Sequence, residues 1–248
     1  MWSIIKFFFI SILSIAESII MMGCLTIDQE PPQRLSAPIF THYSIVAKKD
    51  FDNEYSEFIQ LNWIPDSTDK ISIRYYEITR VIPIDSNSNT NIKNIPHDTT
   101  TMYDRVSNLN LLSPRTKSNN ILYRIFAVDS LERAGDTSVV CTVSLAENVI
   151  LKSPFDTLHS DLFQWIVPQI FTQSITNILL WKNDSLIWES DSISDYTGGG
   201  SKNQRKILPA SLSPLSPGKY YWGIKMSLVS GGIERDPSSI TIREFYVK

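Results

Sequence analysis

The chain has 248 residues, 42% of them hydrophobic, which is enough for more than one sandwich-sized core. Its formal net charge of −3 does not change when the first 23 residues are removed, because they hold one lysine, Lys6, and one glutamate, Glu17. So mild an acidic balance argues against nucleic acid, which needs a basic face to displace phosphate counterions, and two cysteines are too few for a disulfide-stapled scaffold.

The chain opens with a short basic start, "MWSIIK", and an apolar run over residues 7 to 22 that ends at Gly23-Cys24. A membrane helix needs about 20 apolar residues. This run is shorter, is interrupted by Glu17, and shows neither a polar face at helical period nor caps, so a secretory signal is the preferred reading over a spanning or core helix. The stretch "IMMGC" resembles the lipobox of bacterial lipoproteins. The resemblance implies cleavage after Gly23 and a lipid on the Cys24 sulfur, with a plain cleaved signal or an uncleaved anchor as alternatives. It also implies a bacterial cell envelope, and Leu25 after the cysteine leans towards the outer membrane. Residues 24–37, with Pro31-Pro32 and Pro38 just beyond, read as a flexible tether.

From Ile39 onward, short alternating runs are divided by polar and proline-rich turns, which predicts an all-β fold. In "EFIQLNWIPD", Ile59, Leu61 and Trp63 share a face. Tyr76 and Ile78 share another in "IRYYEITRV", as do Tyr123, Ile125 and Ala127 in "ILYRIFAVDS". Val139, Cys141, Val143 and Leu145 are expected to face inward together, which would make Cys141 a small buried residue rather than a reactive thiol. The order "IQLNWIPD", "YYEITRV", "LSPRTKSNNILYRIFAVDSLERAGDTS" resembles fibronectin type III domains over residues 37 to 146. On that resemblance the first two segments are the second and third strands of a sandwich.

The second half repeats the pattern. Phe163 and Trp165 alternate in "LFQWIV", and "ITNILLWKNDSLIWES" reads as a hairpin turning at Asn183-Asp184. In "LSPGKYYWGIKMSLVSGG", Tyr220, Trp222, Ile224 and Met226 face inward. In "SITIREFYVK", Ile240 and Ile242 are out of phase with Phe245 and Val247, which predicts a bulge near Arg243 and Glu244. The basic cluster Lys202, Arg205 and Lys206 reads as a solvated loop. This half resembles the immunoglobulin-like modules of bacterial envelope lipoproteins. The expected organisation is a signal peptide over 1–23, a tether over 24–37, and two tandem antiparallel β-sandwiches over 38–147 and 148–248.

No constellation of catalytic residues stands out. His42, His97 and His159 have no metal-ligand spacing, and Gly198-Gly199-Gly200 lacks the context of a phosphate loop. The acidic run "ESDSISD" lacks the register of a calcium loop. The expectation is a non-enzymatic envelope lipoprotein without cofactor or metal, tethered to the membrane and serving adhesion or scaffolding through strand edges and loop tips. The alternative is a carbohydrate-binding accessory lipoprotein of a polysaccharide-processing system, with Trp181 and Trp188 as a sugar platform.

Overall fold

The computed structural model describes residues 34–66, 73–83, 90–109, 119–158, 160–168, 173–196, 200–230 and 233–248. Gly23, Cys24, Pro114 and His159 therefore lie outside the described residues, with most of the segment read as a tether.

Alternating apolar residues make strands that must bury one face each, and two facing sheets are the solution the chain adopts. In the first sandwich, β1 (Ile39–Lys49), β2 (Tyr55–Ile64) and β5 (Thr101–Arg105) form one antiparallel sheet in the order β1-β2-β5. The other sheet has the order β4-β3-β6-β7, from β3 (Ile73–Val81), β4 (Thr90–Pro96), β6 (Asn119–Asp129) and β7 (Cys141–Leu145). "IQLNWIPD" and "YYEITRV" are thus the second and third strands. Ile59, Leu61 and Trp63 of one sheet meet Tyr76, Ile78, Tyr123, Ile125 and Ala127 of the other in a single buried core. Trp63 lies edge-on to Tyr76 across the gap, with centroids 5.7 Å apart.

The second sandwich repeats the plan. Its three-stranded sheet has the order β13-β9-β8, from β8 (Ile150–Ser153), β9 (Leu162–Val167) and β13 (Lys202–Ile207). Its larger sheet runs β11-β10-β14-β15, from β10 (Gln173–Lys182), β11 (Ser185–Glu189), β14 (Gly218–Ser230) and β15 (Ile233–Val247), and β12 (Ile193–Tyr196) also pairs with β10. The turn from β10 to β11 is Asn183-Asp184, with Asn183 in the left-handed region at φ 54. Phe163, Trp165, Ile178, Tyr220, Trp222, Ile224, Met226 and Phe245 form the second core. The two cores part between Leu145 and Ala146.

Four expectations are corrected. The basic cluster is not a loop: Lys202–Ile207 is an edge strand paired along β9. Val139 does not face inward. Ser138 donates its N–H to the Ile125 carbonyl, accepts the Ile125 N–H on its Oγ, and donates that hydroxyl to Val139 O, which turns Val139 outward before β7 begins. Leu35, within the stretch read as tether, is buried in the first core, and its carbonyl accepts the N–H of Asp136 at 2.9 Å. Gly135 permits that approach, since a Cβ there would stand 2.6 Å from Leu35 O. Finally, β15 has no bulge at Arg243-Glu244. Its pairing with β14 runs without interruption from Gly218↔Val247 to Met226↔Ser239.

The reason for that last correction is that both faces of β15 are covered. Phe245 enters the second core, whereas Ile240, on the other face, is 4% exposed and belongs to the first core. Ile242, on the same face as Ile240, packs between the sandwiches. Gly223 lies opposite Ile242, where a Cβ would come 2.7 Å from Thr241 O.

Candidate binding surfaces

Trp181 and Trp188 do not share a face. Trp181 is 6% exposed and packs with Leu179 and Tyr221 on the outer face of the larger second sheet, where Ala47, Tyr55 and Ile242 cover it. Its ring centroid lies 5.1 Å from that of Tyr55, which is 5.0 Å from Tyr221. Trp188 is half-buried on the opposite side, against the second core, 6.3 Å from Phe163. A flat sugar platform needs both rings on one exposed face, and the bulge in the β10–β11 pairing between Leu180 and Trp181 accompanies their divergence.

Trp181 instead marks a seam between the sandwiches. The inward phase of β1 and β2 continues past the first core as Ala47, Tyr55 and Glu57 and lands on the second sandwich. Around the aromatic centre, the Glu54 carboxylate accepts hydrogen bonds from Lys219 Nζ at 2.9 Å and Tyr221 OH at 2.8 Å. Lys219 also reaches Glu244 at 2.8 Å, and Lys49 pairs with Asp184. The Lys219 bond and the Tyr221 bond hold the Glu54 carboxyl below its ordinary value, and burial pushes the Tyr55 and Tyr221 phenols up. Glu57 Oε1 accepts the Ile240 backbone N–H at 2.9 Å, which satisfies a donor on the edge strand β15.

The first sandwich holds a cleft of about 360 Å3 beside β4 and β5, flanked by the fully exposed Phe51. At its floor Arg80 and Asp104 are paired and buried: Arg80 Nη1 donates to both Asp104 oxygens at 2.8 and 2.7 Å, and Tyr123 OH donates to Oδ2 at 2.7 Å. Burial, reinforced by the Asp104 charge, pushes the Tyr123 phenol well above its ordinary value. Arg105 pairs with Asp50 and donates to Ser56 Oγ. The Asp104 carboxylate accepts three hydrogen bonds from the opposite sheet and so ties the two sheets together.

On the outer face of β1-β2-β5 several polar side chains meet one another. The Asn62 amide meets His42 Nε2 at 3.1 Å and accepts from Thr101 Oγ1 at 2.8 Å, while Lys48 Nζ sits 3.7 Å from the Tyr103 ring centroid. A different surface opens between β1 and β7. Ala37 to Tyr43 face Val139 to Thr142 across a groove of about 520 Å3. Ile39 is 57% exposed there and Val139 89%, and no lysine, arginine, aspartate or glutamate lines it. Cys141 is half-buried in its wall, a free thiol whose pKa burial raises, so its thiolate is disfavoured. No residue pattern announced this groove. It arises where the sandwich leaves β1 and β7, the edges of its two described sheets, side by side.

No protein-family model matches the chain, and comparison with characterised proteins finds no similar sequence. Among solved structures, the crystal structure of the chicken CNTN1 FN1-FN3 domains is similar over 85% of this chain and 68% of its own, with 10% identity and a TM-score of 0.33.

Proposed function

We propose that this chain is a lipid-anchored bacterial envelope protein acting as a non-catalytic binding and scaffold module, held to the membrane through Cys24. The observation that carries the scaffold reading is the seam. Domains joined in one chain move relative to one another unless their interface is extensive and apolar. Here Trp181, Tyr55, Tyr221 and Ile242 pack together, Lys219 ties Glu54 to Glu244, and Ile240 is buried in the neighbouring core. A partner engaging either sandwich would be held at a fixed disposition to the other.

The anchor follows the arithmetic of acyl burial. One chain, at about 0.8 kcal/mol per buried methylene, binds reversibly, and a second makes attachment stable. On this reading the mature protein begins at Cys24, sits on the envelope membrane with the outer membrane as destination, and meets a protein partner. The test has two arms. Wild type should incorporate labelled palmitate and fractionate with membranes, and Cys24→Ser should do neither; labelling that survives the substitution refutes the anchor. Cross-linking on intact cells should give a discrete heteromeric adduct of the anchored chain, and only unmodified chain would refute the binding role.

A further inference from the structure

We infer that the open part of the β1–β7 groove takes an extended polypeptide strand from a partner protein, with apolar side chains at alternate positions. The inference rests on the binding role proposed above and names the kind of partner. Two strand edges flank the groove: among the described strands β1 pairs with β2 alone and β7 with β6 alone. Unpaired strand edges are templates for a further strand, and main-chain bonding supplies affinity while pockets select alternate side chains.

The other end of the same opening is already filled in this way. β15 lies against β1, β2 and β7, and its Ile240 shares the first core with Ile45 of β1 and Leu145 of β7. The first sandwich thus accepts an extended segment carrying isoleucines two residues apart, Ile240 and Ile242, where β1 and β7 leave room. Further along, past Tyr43 and Cys141, no described strand takes the place of β15, and among the described residues Ile39 and Val139 are exposed. The bond from Asp136 N–H to the Leu35 carbonyl closes the far end. A lining that holds no lysine, arginine, aspartate or glutamate offers a charged strand no ion pair and so favours an uncharged, apolar-alternating one.

The probe is a fluorescein-labelled peptide of alternating isoleucine and threonine with lysine flanks, titrated by anisotropy onto the full chain in detergent. Binding should protect the amides of Ile39 to His42 and Cys141 to Val143 from hydrogen exchange and slow alkylation of Cys141. Val139→Asp and Ile39→Lys, both at exposed positions and so compatible with folding, should weaken binding about tenfold or more. Ile207→Lys, exposed on the second sandwich, should leave it unchanged. Three outcomes overturn the inference: no binding, equal affinity for all variants, or a wild-type dimer that Val139→Asp makes monomeric, which would assign the groove to a second copy. None of them touches palmitate labelling or cell-surface cross-linking, so the broader reading stands or falls separately.

Discussion

In the first sandwich the inward tyrosine of β6, Tyr123, spends its hydroxyl on Asp104, a buried carboxylate of the opposite sheet that Arg80 neutralises. In the second, the tyrosine of the equivalent strand β14, Tyr220, donates to the Ser216 carbonyl four residues back, at 2.9 Å. The strand order is the same and the bond is not. A tyrosine that bonds its own approach to the strand fixes a local corner. One that bonds a charged pair fastens sheet to sheet, and makes each member of the pair depend on the other. The first sandwich therefore adds a buried polar tie to its apolar core, whereas the second packs its core with aromatic contacts such as Phe163 with Trp222 and Tyr220 with Phe245.

The largest expected effect tests that contrast directly. Asp104→Asn keeps the shape and strands the Arg80 charge, so it should cost about 3–5 kcal/mol in denaturant unfolding. The double variant Arg80→Met with Asp104→Leu should recover most of the loss; if it is as unstable as the single variant, the pair is not the source. Ile240→Ala should cost about 2–5 kcal/mol. It should raise amide exchange at Ile45 and Leu61 of the first sandwich as well as within β15, and an effect confined to the second sandwich would contradict the shared core. Tyr220→Phe should cost only about 1 kcal/mol, as one neutral hydrogen bond does.

The smallest effect is on the seam. The hydrogen bonds from Lys219 and Tyr221 lower the folded pKa of Glu54 below its ordinary 4.5. Their contribution is therefore present above pH about 4.5 and is lost as pH falls through the lowered folded value. Glu147, whose carboxyl burial pushes up, runs the other way and softens the net change. Fluorescence of Trp181 followed from pH 6 to 3, an interval of about three units chosen to bracket that carboxylate, should shift in wild type. The shift should be smaller in Glu54→Gln.

What the sequence made legible was local. Period-two alternation located Trp63, Trp165 and Trp222 in the cores, and Asn183-Asp184 located a turn. What it hid depends on neighbours distant along the chain. Arg80 shares the inward phase of Tyr76 and Ile78, but a strand pattern does not show that its partner, Asp104, lies on another sheet. Trp181 left room for the alternative of an exposed sugar platform because its cover, Tyr55, comes from the other sandwich. The phase change in β15 was visible, but a bulge is a local explanation and the actual cause is a second core. Val139 kept the alternation on paper, and a serine hydroxyl one residue earlier broke it.

The two-sided burial of β15 also bears on the order in which the protein can mature. β15 leaves the ribosome after every other described strand, yet the first core has a place for its Ile240 beside Ile45 and Leu145. Synthesis from the N-terminus normally lets the leading domain fold first. The expectation here is that the leading sandwich keeps an apolar notch until β15 arrives, so that the two reach their finished state together. A chain stopped after Ser230 should carry a first sandwich that exchanges its β1 amides faster and binds a hydrophobic dye. Equal protection in the shortened and whole chains would show that the leading sandwich closes without help.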